Sequence, residues 1–402
     1  MHPIEVIVVG GGQAGLAVSH ELTQAGVEHV VLESGRIGEA WRRRWDSFCL
    51  VTPNWSVQLP GHPYDGSDPD GFMLRDEIVS YLERYAAAFD APVRQSERVE
   101  SVGSGKNGGF DVLTGADRYR ARSLIVATGA FQRPFHPAGA DSLPDSLLRI
   151  DVAGYQSPAE LPPGGVLIVG SGQSGCQIAE ELHESGRQVV LACGRAAWAP
   201  RRIGDRDLVW WLDRSGFLDA PVESLPSAEA RLFANVLASG HDGGHDLHLR
   251  TLRSQGVTLT GHFLGADAQH AHFASDLADS IAWGDARYEQ LMGLFRKYAQ
   301  SNGCEVPEIA VPDPFDPVSP AELDLAGFGT VLFAGGFRPD YASWLPWPGA
   351  FDEQGFPIQS DGASTRVEGL YFLGTHFLRK RKSSLMIGVG EDARIVARAL
   401  VN

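Results

Sequence analysis

An α/β fold with two parallel, doubly wound sheets is predicted by three observations: a strand, glycine-turn and helix pattern that occurs twice, a further apolar strand after each copy, and 43 % apolar residues spread over 402 positions. The first copy is VIVVGGGQAGLAVSHEL at Val6–Leu22, followed by VEHVVLE ending at Glu33. The second is VLIVGSGQSGCQIAEEL at Val166–Leu182, followed by RQVVLACGR ending at Arg195. A chain of this length exceeds one ordinary core and suits two domains.

Between the copies lie a Gly/Pro/His-rich loop at Leu59–Gly71, an amphipathic helix pattern around Arg75–Phe89, and the strand pattern ARSLIVATG at Ala121–Gly129. From about Leu225 to Pro320 helix-like patterns alternate with polar loops, and strand patterns return in TVLFAGGF at Thr330–Phe337 and GLYFLG at Gly369–Gly374. The chain closes on a helix pattern at Glu391–Val401.

Charge and cysteine content narrow the function. A formal net charge of −16 and a pI near 5.2 argue against a nucleic-acid partner, because affinity for phosphate backbones comes from lysines and arginines that displace counterions. The four cysteines, Cys49, Cys176, Cys193 and Cys304, form neither a secreted disulfide framework nor a CxxC pair, which fits a reducing cytoplasm. The apolar run Ile4–Val9 is too short to span a bilayer and leads directly into glycines, so it reads as a buried strand and gives no membrane partner.

In the first copy Gly10 makes a tight turn, Gly12 lets the backbone approach a pyrophosphate, and Gly15 lets the helix lie close to the strand. Gln13 and Ala14 belong to the same loop, where the helix N-terminus meets the phosphate charge. Glu33 ends the next strand, about twenty residues on, where an acid accepts hydrogen bonds from the ribose hydroxyls of an adenosine. A glycine turn kept for packing alone leaves Glu33 unexplained.

In the second copy Gly170, Gly172 and Gly175 repeat the spacing, with Ser171, Gln173 and Ser174 between them. Here the following strand ends in ACGR instead of an acid. A carboxylate would repel a 2′-phosphate, whereas Arg195, helped by Arg201 or Arg202, can pair with one, so NADPH is favoured over NADH. The expectation is two Rossmann-like dinucleotide-binding domains.

With both loops placed, the chain resembles the flavin-containing monooxygenase family and its relatives, the Baeyer–Villiger and N-hydroxylating monooxygenases, over nearly its whole length. The matching pieces are GGGQAG, LESGRIGEAW, TPNWS, IVATG, VGSGQSG, PRRIGDRD, FAGGFRPDY, GLYFLG and KSSLMIGVGEDA. The resemblance implies FAD along the first loop, with its ribose on Glu33 and its flavin end near Trp41, Asn54 and the Leu385–Gly388 stretch, and Gly374 and Ser384 are counted with Leu385 among the cofactor-binding residues. It makes Ala127-Thr128-Gly129 and Ala334-Gly335-Gly336 the crossings between domains. The FAD domain is then discontinuous, residues 1–130 and 332–402, with the NADP domain inserted at 131–331, where Arg195 and Arg202 meet the adenosine end of NADPH.

The implied activity is an NADPH-dependent FAD monooxygenase. It would oxygenate a small organic molecule with O2 through a C4a-hydroperoxyflavin, at nitrogen, sulfur or carbon or by Baeyer–Villiger insertion. Asn54 is the candidate hydrogen-bond donor in that pocket; the residues alone read it as a turn residue after Pro53. One departure bears on the chemistry. The family carries a histidine a few residues before a tyrosine between the two loops; Tyr155 is present, but Asp151 holds the histidine position and is counted with Asn54 as a catalytic candidate. Two other readings therefore stay open: an NADPH-dependent flavin oxidase or reductase without a stable hydroperoxide, and a non-catalytic flavoprotein redox sensor. A disulfide-reducing route lacks its CxxC or CxxxxC pair.

His241, His245 and His248 have no cysteine or glutamate nearby in sequence to complete a metal set, and no metal is expected. Of Trp198, Trp210, Trp211, Trp344 and Trp347, one or two could stack in the cleft and the rest fill cores. Arg379-Lys380-Arg381-Lys382 reads as a solvated patch, or else stands beside anionic cofactor groups or an acidic substrate. The sequence leaves the substrate and a homo-oligomer open.

Overall fold

The computed structural model describes residues 4–105, 108–233, 235–305, 308 and 310–401. The chain opens with β1 (Ile4–Val9), whose Val6–Val9 stretch is buried. Such β-branched runs suit a parallel strand covered on both faces. After the glycine loop, α1 (Gln13–Gln24) sets Ala14, Gly15, Ala17 and Val18 into the core, and the chain returns through β2 (His29–Leu32). β1 and β2 pair in parallel with Val6 opposite His29. Next come the short α2 (Glu39–Arg42), then α3 (Arg75–Ala88) where the amphipathic pattern was read, and β3 (Val93–Arg94) beside β2. An antiparallel meander, β4 (Val99–Ser104) and β5 (Phe110–Thr114), feeds β6 (Arg118–Val126), which lies parallel to β1 on its other side.

The two-residue β7 (Arg133–Pro134) leads to a second sheet. Its elements are β8 (Leu148–Asp151), β9 (Gly165–Val169), α4 (Gln173–Glu184), β10 (Val189–Ala192), α5 (Leu208–Arg214), α6 (Leu249–Gln255), β11 (Thr258–Thr260), the 25-residue α7 (Leu277–Ser301) and β12 (Phe328–Phe333). All five strands run parallel in the order β8-β12-β9-β10-β11. The chain then returns: β13 (Phe337–Arg338) pairs antiparallel with β7, so the outgoing and returning crossings are zipped together. β14 (Gln359–Ser360), β15 (Ala363–Ser364) and β16 (Leu370–Phe372) extend the first sheet to the order β14-β15-β16-β6-β1-β2-β3, and α8 (Val389–Val401) joins the core under α1.

One sheet thus draws its strands from both ends of the chain, and the other only from residues 148–333. A contact from the first part pins the two. Trp45 is buried in the second core, Asp46 N donates to Gln156 O at 2.9 Å, and Ser47 Oγ donates to Glu181 Oε1 on α4 at 2.8 Å. Burial raises the Glu181 carboxyl above its ordinary range, while hydrogen bonds from Ser47 and Tyr155 oppose the shift. Among the described residues no helix is long and apolar enough to cross a membrane.

Candidate active site

The three glycines of the first loop differ in what they permit. Gly10, at φ +110°, would place a Cβ 2.6 Å from Ala127 O, and a Cβ on Gly15 would lie 1.8 Å from Gly10 O. These two keep loop, helix and crossing in contact. A Cβ on Gly12 would meet nothing within 4 Å. Gly12 is the uncapped N-terminus of α1, and no acid lies in that first turn, so unpaired N–H groups border free space there, as a bound phosphate requires. Glu33 is 7 % exposed and its Oε2 accepts from Gly11 N at 2.6 Å. Its Oε1 accepts from Gly35 N at 2.7 Å and Ser34 Oγ at 3.2 Å. The carboxylate is thereby fixed beside the loop, and Oε2 keeps a lone pair for a further donor.

Trp41 and Ser384 meet through Gln13 of the first loop, whereas Asn54 makes its contacts elsewhere. Trp41 Nε1 donates to Gln13 Oε1 at 3.0 Å, Gln13 Nε2 donates to Ser384 O at 3.3 Å, and a Cβ on Gly374 would lie 2.5 Å from that of Ala14. Leu385 follows and packs against the second core. The sequence reading missed two members of this group. His376 Nδ1 lies 3.0 Å from Ser384 Oγ, and Phe131 stands edge-on to its ring at 4.5 Å. Burial pushes the His376 pKa down to about 4, which keeps the imidazole neutral at pH 7. The Arg44 guanidinium lies 5.8 Å over Phe131 and 5.6 Å over Phe48. Asn54 is buried and largely committed: Nδ2 donates to Asp68 O at 2.9 Å, and Oδ1 accepts from Met73 N at 2.7 Å. It staples the 68–73 loop and retains one amide hydrogen.

The first crossing is braced from the second. Gly129 O accepts from Tyr341 OH at 2.8 Å and from Gln132 Nε2 at 2.7 Å, and Thr128 Oγ1 accepts from the same amide at 2.9 Å. Asp151 ends β8 opposite Phe333, the residue before the second crossing. Its Oδ1 is 2.6 Å from His136 Nε2, and the His136 ring rests 4.4 Å from Phe333. An imidazole therefore stands beside Asp151, carried by a residue fifteen places earlier. No local sequence pattern announces a contact of that kind.

The second loop repeats the first in construction. Gly170, at φ +115°, would place a Cβ 2.6 Å from Ala334 O, and one on Gly175 would lie 2.0 Å from Gly170 O. Gly172 is again an uncapped helix N-terminus, and Ser174 in the first turn is half-buried. Two side chains counted with this loop are spent on the protein itself. Ser171 is buried; its Oγ accepts from Gly194 N at 2.9 Å and donates to Gly194 O at 3.1 Å. Gln173 Oε1 accepts from Ala238 N at 3.1 Å while its Nε2 donates to Ala238 O. Ser171 thus positions the strand end that carries Arg195. Arg195 and Arg202 are exposed and have no acidic partner among the described residues. Arg201 does not fit the helper role given to it. It is 2 % exposed, ion-paired to Asp207 Oδ2 at 2.8 Å, donates Nη1 to Val51 O at 2.7 Å, and lies 4.3 Å over Phe72.

The sequence profile of the pyridine nucleotide-disulphide oxidoreductase family matches residues 7–212, which contain both glycine loops. The chain belongs to this family. It is 32 % identical over 407 residues to an uncharacterized CzcO-like oxidoreductase of Geobacillus kaustophilus, covering 100 % of this chain and 99 % of that one. It is 30 % identical over 194 residues to the indole-3-pyruvate monooxygenase YUCCA6 of Arabidopsis thaliana, 46 % of either chain. Its fold matches the flavin-containing monooxygenase of Stenotrophomonas maltophilia with a TM-score of 0.69 at 21 % identity, covering 100 % of this chain and 98 % of that one.

The cysteines of this oxidoreductase are all unpaired. Burial pushes the Cys49 thiol up to about 11 and that of Cys193 up to about 12, and raises Cys176 as well, so the thiolate needed for disulfide exchange is suppressed at all three. Glutamates distant in sequence approach the histidine stretch: Glu180 Oε1 is 2.8 Å from His245 Nε2, and Glu184 is 3.9 Å from His241. They come from α4, and among the described residues no group of three or more His, Cys, Asp or Glu side chains is placed to hold a metal ion. His248 caps α6, its Nδ1 accepting from Thr251 N at 3.3 Å. The tryptophans pack against protein: Trp198 stacks on Tyr288 at 4.4 Å and donates to Asp285 at 3.1 Å, and Trp344 and Trp347 lie against the first core.

Proposed function

We propose that this oxidoreductase is an NADPH-dependent FAD monooxygenase that oxygenates a small organic molecule with O2. Residues 1–130 and 332–402 would hold FAD, and residues 131–331 NADPH. The observation that carries the reading is the pairing of two alike loops with unlike strand ends. One open helix N-terminus has a fixed carboxylate, Glu33, beside it; the other has an exposed, unpaired Arg195.

The residues present fit FAD. Gly12 leaves room where a pyrophosphate would lie, Glu33 offers a lone pair to a ribose hydroxyl, and Gln13, Trp41 and Ser384 form one hydrogen-bonded group further along. Bound FAD supplies the transfer of electrons from NADPH to oxygen. The chain's own part is positioning. Gln13 is held from both sides, so an isoalloxazine-sized group beside it would meet a fixed amide. Neutral His376, bonded to Ser384 and edge-on to Phe131, can share a hydrogen bond without bringing a charge. The suppressed thiols support oxygen over a disulfide as acceptor.

A second reading, a flavin oxidase or reductase, draws on Asp151. The His136 imidazole at 2.6 Å from that carboxylate speaks for the first. Arg195→Ala tests the nicotinamide assignment: the KM for NADPH should rise about tenfold, roughly 1.4 kcal/mol, with that for NADH nearly unchanged. Equal effects on the two would remove Arg195 from 2′-phosphate recognition.

A further inference from the structure

The four consecutive cations at 379–382 are not the solvated patch their sequence suggests. Arg379 Nε pairs with Asp361 at 2.8 Å and its Nη1 with Asp392 at 3.0 Å. Lys380 Nζ reaches Asp219 at 2.8 Å and Glu391 at 2.9 Å, and Lys382 Nζ reaches the same two acids at 3.2 and 2.7 Å. Arg381 alone has no hydrogen bond or ion pair from its guanidinium among the described residues, and its Nε is buried without a partner. The group lies 4.1 Å over Phe217 and 4.7 Å over Phe377. Burial without any compensating partner lowers its pKa to about 10.

A desolvated cation left unpaired is costly, and this chain, at net −16, has acids in excess. All four carboxylates in the neighbourhood serve the three flanking cations, and none serves Arg381. The location is also specific. Arg381 begins the single helical turn at Arg381–Ser384, whose last residue meets Gln13 and His376. Phe377 follows His376 directly, and Phe217 comes from the loop after α5, where Ala220 O accepts from Arg381 N at 3.0 Å. The unpaired guanidinium, over Phe217 and Phe377, therefore stands where the two parts of the molecule meet, on the turn that ends at Ser384 of the group assigned to the flavin end.

We propose that Arg381 anchors the carboxylate of the substrate, which is a small organic acid with an apolar body set beside the half-buried Phe217. This rests on reading the Gln13, His376 and Ser384 group as the oxidising site. A carboxylate is planar, matches the guanidinium fork with two parallel hydrogen bonds, and carries one charge; a phosphate would bring a second charge into a partly dry position. The paired neighbours keep the backbone of the turn rigid, so that Arg381 is presented without being neutralised from within.

The test is calorimetric titration of the purified full-length protein with phenylacetate and with phenylacetamide, which share shape and differ in charge. The acid should bind at least about tenfold more tightly than the amide, as expected for a charge-assisted pair. Arg381→Gln should abolish that preference, and Arg381→Lys, which keeps the charge but not the fork, should retain part of it. Equal or absent binding of acid and amide overturns the proposal, as does an unchanged preference in Arg381→Gln. Reduction of flavin by NADPH is followed separately. Its absence would remove the cofactor reading, while an acid-over-amide preference lost in Arg381→Gln would still support Arg381 as the anion anchor.

Discussion

Gly12→Val is expected to give a folded chain that purifies without its yellow colour. The backbone at Gly12, φ −87° and ψ −169°, is open to any residue, and a Cβ there meets no protein atom within 4 Å. Valine therefore costs the apo fold little beyond roughly 1 kcal/mol for a poorer helix N-cap. Its branches occupy the space in which a pyrophosphate must approach the backbone N–H groups, and bound FAD should fall by about tenfold or more. Flavin absorbance per protein after gel filtration checks this, with far-ultraviolet circular dichroism as the control for folding. A variant that stays yellow contradicts the assignment of the first loop.

Gly15→Ala should act on the fold itself. The added Cβ would lie 1.8 Å from Gly10 O and 3.0 Å from Gly10 C, and both neighbours are backbone. Relief requires α1 to move away from the turn that joins it to β1, across a core that holds Leu16, Ala17 and Val18 fully buried. Overpacking of this kind costs typically 1–3 kcal/mol, and backbone on both sides places this case at about 3 kcal/mol or more. Gly175→Ala, at 2.0 Å from Gly170 O, should do the same to the second sheet. Urea unfolding of the two variants measures the loss. A change within about 0.5 kcal/mol, the range of neutral surface substitutions, would mean that the loops are looser than their geometry.

The contrast between Gly12 and Gly15 also marks what the sequence can say. Both loops, their helices and the parallel strands were legible because each depends on residues within about thirty positions: β-branched runs, glycine spacing and the acid or arginine at the next strand end. α3 and α8 followed from their apolar periodicity in the same way. The joining of Trp41 and Ser384 through Gln13 was not legible, since Gln13 and Ser384 are 371 residues apart.

What failed was the state of charged side chains. Arg201 and Arg202 are adjacent and alike in sequence, but the alternation of the short strand pair at 202–207 turns one into the core toward Asp207 and Val51 and the other to solvent. The Arg379–Lys382 run looked solvated because its partner Asp219 lies 161 residues away from Lys380. His136 was invisible as the companion of Asp151, because β8 and the crossing meet only once both sheets are built. Each of these contacts is tertiary, and no local period encodes it.

The most direct test of the central claim is the hydrogen peroxide released per NADPH oxidised, measured under isotopically labelled oxygen with and without small organic acids. An acid substrate should drive peroxide well below the NADPH consumed while label appears in an oxygenated product. Peroxide equal to NADPH under every condition, with no labelled product, would contradict that claim and leave a flavin oxidase.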